Sequence, residues 1–303
     1  TGGIVWQTGK FIGKGGKFTW ENVGLPQIVA EVKEYSLDVM NPRFSAEDVA
    51  LTYPDRLTAP INGVFEFRAG KRPAGVMNSY PRFKSYEANA NIKNIEQKKK
   101  AFFNYMYPLI LAENKKILAE RSIVQSNKKS AQLTKICEKY SEKCTNIDNK
   151  KSKDLLKLID VIPPSLAMAQ SANESAWGTS RFAKKGNNFF GQWCYTQSCG
   201  IIPKNRKKGT KHEVQQFSSP QQSVEAYIFN LNTGPVYSLI RKQRVVARIK
   251  SINPTGYELA KGLIKYSQRR EAYVREIQGM ISHNKLVKEY DQKFWQELNQ
   301  SIY

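Results

Sequence analysis

A chain of 303 residues can hold one good-sized domain with extensions or two small ones, and 40% hydrophobic with 11% aromatic residues suffices for a packed core. The 48 Lys and Arg against 26 Asp and Glu give a formal charge of +22, which attracts polyanions: nucleic acid, anionic lipid, or a cell-wall polymer bearing carboxylates and phosphates. No run of about 18 apolar residues occurs, which excludes a membrane-spanning helix.

Basic residues spread from Lys10 to Lys293, so they specify a class of partner rather than a binding arm. Residue 1 is Thr rather than Met, which suggests a leader removed upstream or a trimmed start. Four cysteines form two local pairs, Cys137 with Cys144 and Cys194 with Cys199. An even count in an exported chain favours disulfides over free thiols. Zinc is the competing use, with His212 and His283 as ligands. Neither cysteine spacing is a recognised knuckle and no HExxH occurs, so no metal and no cofactor is expected.

Residues 1–92 are poor in helical periodicity and rich in Gly and Pro, and read as an extended N-terminal region. Gln27 to Met40 could be a helix and Ile61 to Phe67 a short strand. From Asn91 to Lys143 the pattern is strongly helical. Phe102, Tyr105, Met106, Leu109 and Ile110 recur at three and four, with Pro108 kinking or dividing the helix. Cys137 and Cys144 would be about 10 Å apart along a continuous helix, too far to bridge. If they pair, the helix ends near Tyr140. Leu155 to Ile162 predicts a short helix carrying Leu155, Leu158 and Ile159.

Val161 to Trp193 is the most informative stretch. Pro163-Pro164 and Ser165 form a helix start signal in which serine can cap. Ala167, Ala169, Ala172 and Ala176 keep the helix slim. It is predicted to run through Trp177 and stop at Gly178. Glu174, in the last turn, lies where the macrodipole disfavours a carboxylate, and Trp177 at i+3 would add apolar surroundings. Both raise its pKa, as an acid that protonates a leaving-group oxygen requires. The ordinary alternative is a surface pair with Arg181 or Lys184.

Beyond Trp193, Cys194 to Phe217 reads as a β-hairpin around a basic tip, Lys204 to Lys211, with a Cys194–Cys199 bridge tightening its base. Ser223–Leu231, Pro235–Arg248, Tyr257–Lys265 and Ala272–Ile281 show helical spacing. A last helix, Leu286 to Leu298, carries Phe294 and Trp295.

Asn173-Glu174-Ser175-Ala176-Trp177-Gly178 followed by Asn188-Phe189-Phe190-Gly191 resembles the glucosaminidase signature of flagellar and autolysin peptidoglycan hydrolases, glycoside hydrolase family 73-like. The longer run from Gln170 to Cys194 is similar to the Bax-like branch of that family. The resemblance continues through Cys199-Gly200, Pro203, His212-Glu213-Val214, Phe217, Asn230-Leu231-Asn232 and Tyr266-Ser267, and so covers roughly Lys98 to Asn284. It implies a mainly α (α+β) fold: a lysozyme-like helical domain at 151–303 with a small β-hairpin lobe, preceded by a helical prop at 93–150.

Glycoside cleavage needs a proton donor and a second group across the anomeric carbon. With Glu174 as donor, the one acidic residue between Ser175 and Val224 is Glu213, the candidate for holding water or balancing charge. Its ordinary use would be an ion pair with Lys211. Alternatively the substrate's own N-acetyl group attacks, and the resemblance then points to Tyr266 and Tyr273 to orient it. Arg269-Arg270-Glu271 between them departs from the family's smaller residues. Trp193 is expected to stack on a sugar ring and Phe190 to serve groove or core, the core being favoured. Asn188 and Gln192 could hydrogen-bond sugar hydroxyls.

The function these features imply is an envelope hydrolase, periplasmic or secreted and monomeric, acting on peptidoglycan glycan strands after N-acetylglucosamine (an endo-β-N-acetylglucosaminidase). A muramidase or lytic transglycosylase places its Glu alike and is the alternative. A non-catalytic polyanion binder would explain the charge but not a lone Glu in this motif. Specific nucleic-acid binding is not expected, and envelope association would be peripheral.

Overall fold

In the computed structural model, residues 94–300 are described except 142–143, 205 and 207–208. The expected helix at 27–40, the strand at 61–67 and tip residues Lys207 and Lys208 lie outside them. The architecture is mainly α with one small antiparallel sheet, a lysozyme-like domain as expected.

Helix α1 (Ile95–Ser126) is 32 residues long, about 48 Å at 1.5 Å per residue. Asn94 caps it by accepting from the amides of Glu96 and Gln97, and Asn127 closes it in the left-handed conformation. Pro108 sits inside the helix and does not divide it, division being the second of the two outcomes expected for it. Packing explains the tolerance. Phe102, Met106, Leu109 and Ile110 are fully buried on both sides of the proline, and the helix packs along α4 and α6. One lost hydrogen bond is offset by roughly 1.5–3 kcal/mol for each large side chain buried.

Helix α2 (Ala131–Tyr140) ends where the cysteine spacing required, and Cys137 and Cys144 are bridged with Cα atoms 5.8 Å apart. Helix α3 (Asn149–Leu158) leads to the buried strap Ile159–Ile162. Helix α4 (Pro164–Ser175) is the central element, buried over nearly its whole length. Helix α5 (Arg181–Gly186) was not foreseen, being a six-residue turn capped by Ser180.

The predicted hairpin is instead a three-stranded sheet of order β1-β3-β2: β1 (Trp193–Cys194), β2 (Gly200–Ile201) and β3 (Glu213–Gln215). The 5-residue separation of Cys194 and Cys199 explains the change. Their bridge ties the end of β1 to the start of β2, so β3 enters between them, pairing Trp193 with Val214 and Ile201 with Val214.

Helix α6 (Pro220–Thr233) and α7 (Ser238–Ile249) follow, then α8 (Gly256–Leu259) continued by a 3₁₀ turn Ala260–Leu263 in place of one longer helix. Helix α9 (Glu271–His283) packs on α4. A π-helical turn, Val287–Asp291, joins α10 (Gln292–Gln300), whose Phe294, Trp295 and Leu298 cluster with Val161 against Leu111 and Leu118 of α1. Among the described residues no helix is long and apolar enough to cross a membrane.

The start of α4 differs from expectation. Pro163 is the N-cap and offers no side-chain bond, while Ser165 lies within the helix. Asp291 caps in trans. Its Oδ1 accepts from the Ser165 amide at 2.8 Å, and its Oδ2 accepts from the Ser165 hydroxyl at 2.6 Å and from the Gly256 amide at 2.9 Å. Gly256 must be bare, because a Cβ there would stand 2.3 Å from the Leu166 nitrogen.

Candidate active site

Helix α4 stops at Ser175, two residues short of the expected end, because Ala176, Trp177 and Gly178 all take positive φ, 50°, 58° and 75°. Backbone of this kind is costly for non-glycine residues and tends to occur where a site needs it. The turn swings Trp177 off the helical face of Glu174. Its ring packs edge-on against Phe102 at 5.9 Å and Phe103 at 5.2 Å in α1. The apolar neighbour expected for Glu174 is therefore supplied by other residues.

Those residues are polar aromatics. Tyr273 of α9 donates its hydroxyl to Glu174 Oε1 at 2.8 Å. Gln170, one helical turn before Glu174, donates its amide to the Tyr273 oxygen at 2.9 Å. Its own amide oxygen accepts from the Tyr227 hydroxyl at 2.6 Å. Burial pushes the Glu174 carboxyl above its ordinary value, while hydrogen bonds from Tyr273 and Asn173 pull it back and the Glu276 carboxylate pushes it further up. Glu276 lies one turn along α9 from Tyr273 and pairs with Arg269 Nη1 at 2.7 Å.

The other carboxyl oxygen, Oε2, faces Gly191. With φ +66°, Gly191 takes a conformation other residues resist, and a Cβ there would lie 3.5 Å from Oε2. The bare glycine keeps a side chain off that oxygen.

Tyr266 stacks parallel on Tyr273 with centroids 5.3 Å apart and donates its hydroxyl to the Phe190 carbonyl at 3.1 Å. Burial first, then the nearby Glu174 carboxylate, drives both tyrosine hydroxyls well above their ordinary pKa, so both remain proton donors. Tyr273, expected to help orient the acetamide, is 3% exposed and gives its hydroxyl proton to Glu174. The two tyrosines and Glu174 thus form one group.

Three other candidates turn out to build the site's frame. Phe190 is 2% exposed and stacks on Tyr227 at 3.9 Å, so it belongs to the core and not to the groove. Asn188 is 1% exposed. Its Nδ2 donates to the carbonyls of Gln192 and Gln215, both at 2.9 Å, and its Oδ1 accepts from the amides of Phe190 and Gln192. An amide so saturated has nothing left for a sugar.

Glu213 is 5% exposed. Its Oε1 accepts from the Ser198 amide at 3.2 Å and its Oε2 from the Gly200 amide at 2.8 Å. Both oxygens accept from the backbone of the loop closed by Cys194–Cys199, so the carboxylate clamps that loop. Cys194, Cys199 and Glu213 also form the one cluster of potential metal-ligating side chains among the described residues. Its two sulfurs are joined to each other, leaving no thiolate for a cation.

Gln192 and Trp193 are less fully engaged by the frame. Both amide atoms of Gln192 are buried without a hydrogen-bond partner, a costly arrangement unless something arrives to complete it. Trp193 is half-buried, and His212 covers one face of its indole at 4.0 Å. Desolvation and then Arg206 hold the imidazole below its ordinary pKa.

Residues 149–286 match the family model described as Glucosaminidase: Mannosyl-glycoprotein endo-beta-N-acetylglucosaminidase. The chain is also similar to Protein bax of Escherichia coli (strain K12), 34% identical over 196 residues that cover 62% of this chain and 70% of that protein. No solved structure matches it.

Proposed function

The chain belongs to the Bax-like branch of the glucosaminidase family and is a glycoside hydrolase, and on that premise we propose that it cleaves the β-1,4 bond after N-acetylglucosamine in peptidoglycan with Glu174 as general acid. The observation that carries this reading is a half-buried carboxyl with one oxygen held by Tyr273 and the other beside a bare glycine, and its desolvation pushes the pKa upward. Such a group stays protonated to higher pH than a solvated carboxylate and keeps its proton directed outward.

In the proposed reaction the Glu174 proton passes to the bridging oxygen as the bond from that oxygen to the anomeric carbon breaks, its electron pair going to the oxygen. Because both Glu213 oxygens serve the backbone, the nucleophile is the carbonyl oxygen of the substrate's own acetamide. It closes a cyclic oxazolinium that water then opens, returning a proton to Glu174. Tyr266, whose hydroxyl proton goes to the Phe190 carbonyl, is assigned to orient the acetamide through its oxygen, which can still accept from the acetamide N–H. Gln192 and the face of Trp193 turned away from His212 are assigned to the sugar.

A high-mannose glycan is neutral, whereas peptidoglycan carries stem carboxylates. A chain of +22 is matched to the second. We assign catalysis to 151–303, with 93–150 as its helical prop. The two disulfides accord with periplasmic or secreted placement of a monomer.

Digestion of purified sacculi, followed by reduction and mass analysis of the products, tests the assignment. Reduced N-acetylglucosamine at the new ends is expected, and reduced or anhydro N-acetylmuramic acid would mean a muramidase or lytic transglycosylase. Glu174→Gln should lower turnover by at least about 10²-fold. More than a tenth of wild-type activity in that variant would remove Glu174 from the role, and faster turnover on a mannosyl glycoprotein than on sacculi would remove the substrate.

A further inference from the structure

Three hydrogen bonds join Tyr227, Gln170, Tyr273 and Glu174 in a row, and a primary amide in the middle makes the row directional. A hydroxyl can donate or accept along either bond, but an amide donates only from nitrogen and accepts only at oxygen. Here Gln170 Oε1 accepts from Tyr227 at 2.6 Å while its Nε2 donates to the Tyr273 oxygen at 2.9 Å. The Tyr273 oxygen receives that proton, so its own proton points at Glu174 Oε1, 2.8 Å away. Gln170 is fully buried and Tyr227 nearly so, which shields the row from competing water.

We propose that Gln170 is a positioning residue that fixes the direction of this row and thereby keeps the acid proton of Glu174 on Oε2, the oxygen beside Gly191. This rests on the reading of Glu174 as general acid. An Oε1 that accepts from Tyr273 is a poor seat for the carboxyl proton. Were the Gln170 amide turned over, Nε2 would face Tyr227 and Oε1 would face Tyr273. The Tyr273 proton would then point at Gln170, and Glu174 could spend its proton on Tyr273 instead of on the glycosidic oxygen. Tyr227 supports this orientation by supplying the proton that Oε1 accepts, and without it a buried amide oxygen is left unpaired unless the amide turns toward Tyr273. Parallel stacking of Tyr227 on Phe190 fixes the ring that carries that hydroxyl.

Tyr227→Phe leaves the ring and its stacking but frees the amide to turn, and Gln170→Glu replaces the amide by an isosteric group able to accept from both tyrosines. Each should lower kcat on solubilised glycan strands by up to about 10²-fold with KM little changed. Each should also raise the Glu174 pKa further, read both as an upward shift of the alkaline limb of the pH–rate profile and from the carboxyl carbon resonance of labelled Glu174. The direction follows because the Tyr273 bond is one of the two that lower that pKa.

A merely structural role would lower thermal stability or raise KM without moving the resonance. An unmoved Glu174 resonance in Tyr227→Phe, or a kcat within twofold of wild type, overturns the proposal. If Gln170→Glu does not fold, Tyr227→Phe decides alone. Glu174→Gln in the same assay separates the failures: its inactivity beside an unaffected Tyr227→Phe sinks the positioning role only, whereas its activity sinks the general acid.

Discussion

At the scale of single residues, the acid is held by competing effects whose signs can be read in solution. Burial raises the folded-state pKa of Glu174 above the ordinary 4.5 and outweighs two hydrogen bonds that lower it. The folded protein therefore binds this proton more tightly than the unfolded chain. The resulting stability is fully present below about pH 4.5 and is lost as pH rises through the folded value. Glu174→Gln keeps an acceptor for Tyr273 and cannot ionise. Its melting temperature relative to wild type should therefore be higher at pH 7 than at pH 4, as a paired thermal melt would show. A difference independent of pH would mean that the carboxyl is not desolvated. Glu174 was legible in the sequence because a charge in the last turn of an alanine-rich helix stands out locally. Gln170 stood in the same helix but gave no sign, because its partners Tyr227 and Tyr273 are 57 and 103 residues away.

At the scale of elements, strands of two or three residues carry almost no periodicity, so the β-lobe was read as a hairpin and Glu213 as a catalyst. What makes the lobe cohere is the disulfide-closed loop and the carboxylate inside it. Glu213→Gln places an amide NH₂ against one of two backbone donors and should cost about 1–3 kcal/mol. Chemical denaturation should detect that loss, and kcat of the folded fraction should stay near wild type. A collapse of kcat without loss of stability would return Glu213 to the chemistry. The start of α4 was equally hidden, since Asp291 is 126 residues from Ser165. Burial raises the Asp291 pKa to about 6. Asp291→Ala strands the Ser165 and Gly256 amides at about 1–3 kcal/mol each, but at neutral pH it also removes an ionised carboxylate held at a disadvantage. The variant should thus be more destabilised at pH 5 than at pH 7.5. Gly256→Ala, which collides with backbone at Leu166, should be destabilised at both.

At the scale of the whole molecule, helical spacing revealed most elements in order, but not that the last ones close onto the first. Tyr107 in α1 and Glu297 in α10 meet at 3.5 Å across 190 residues of chain. Phe294 and Trp295 fill the space between Val161 and α1. Deletion of residues 286–303 removes Asp291 and this cluster together, and it should abolish both cooperative unfolding and turnover. A truncated chain that still digests sacculi would show that α4 can be held without them. The same closure sets a clock on biosynthesis. A chain still emerging from the ribosome has made the signature helix and its acid long before residue 291 exists to seat them. Until Asp291 has been made and docked, the start of that helix lacks the carboxylate that accepts from its Ser165 amide.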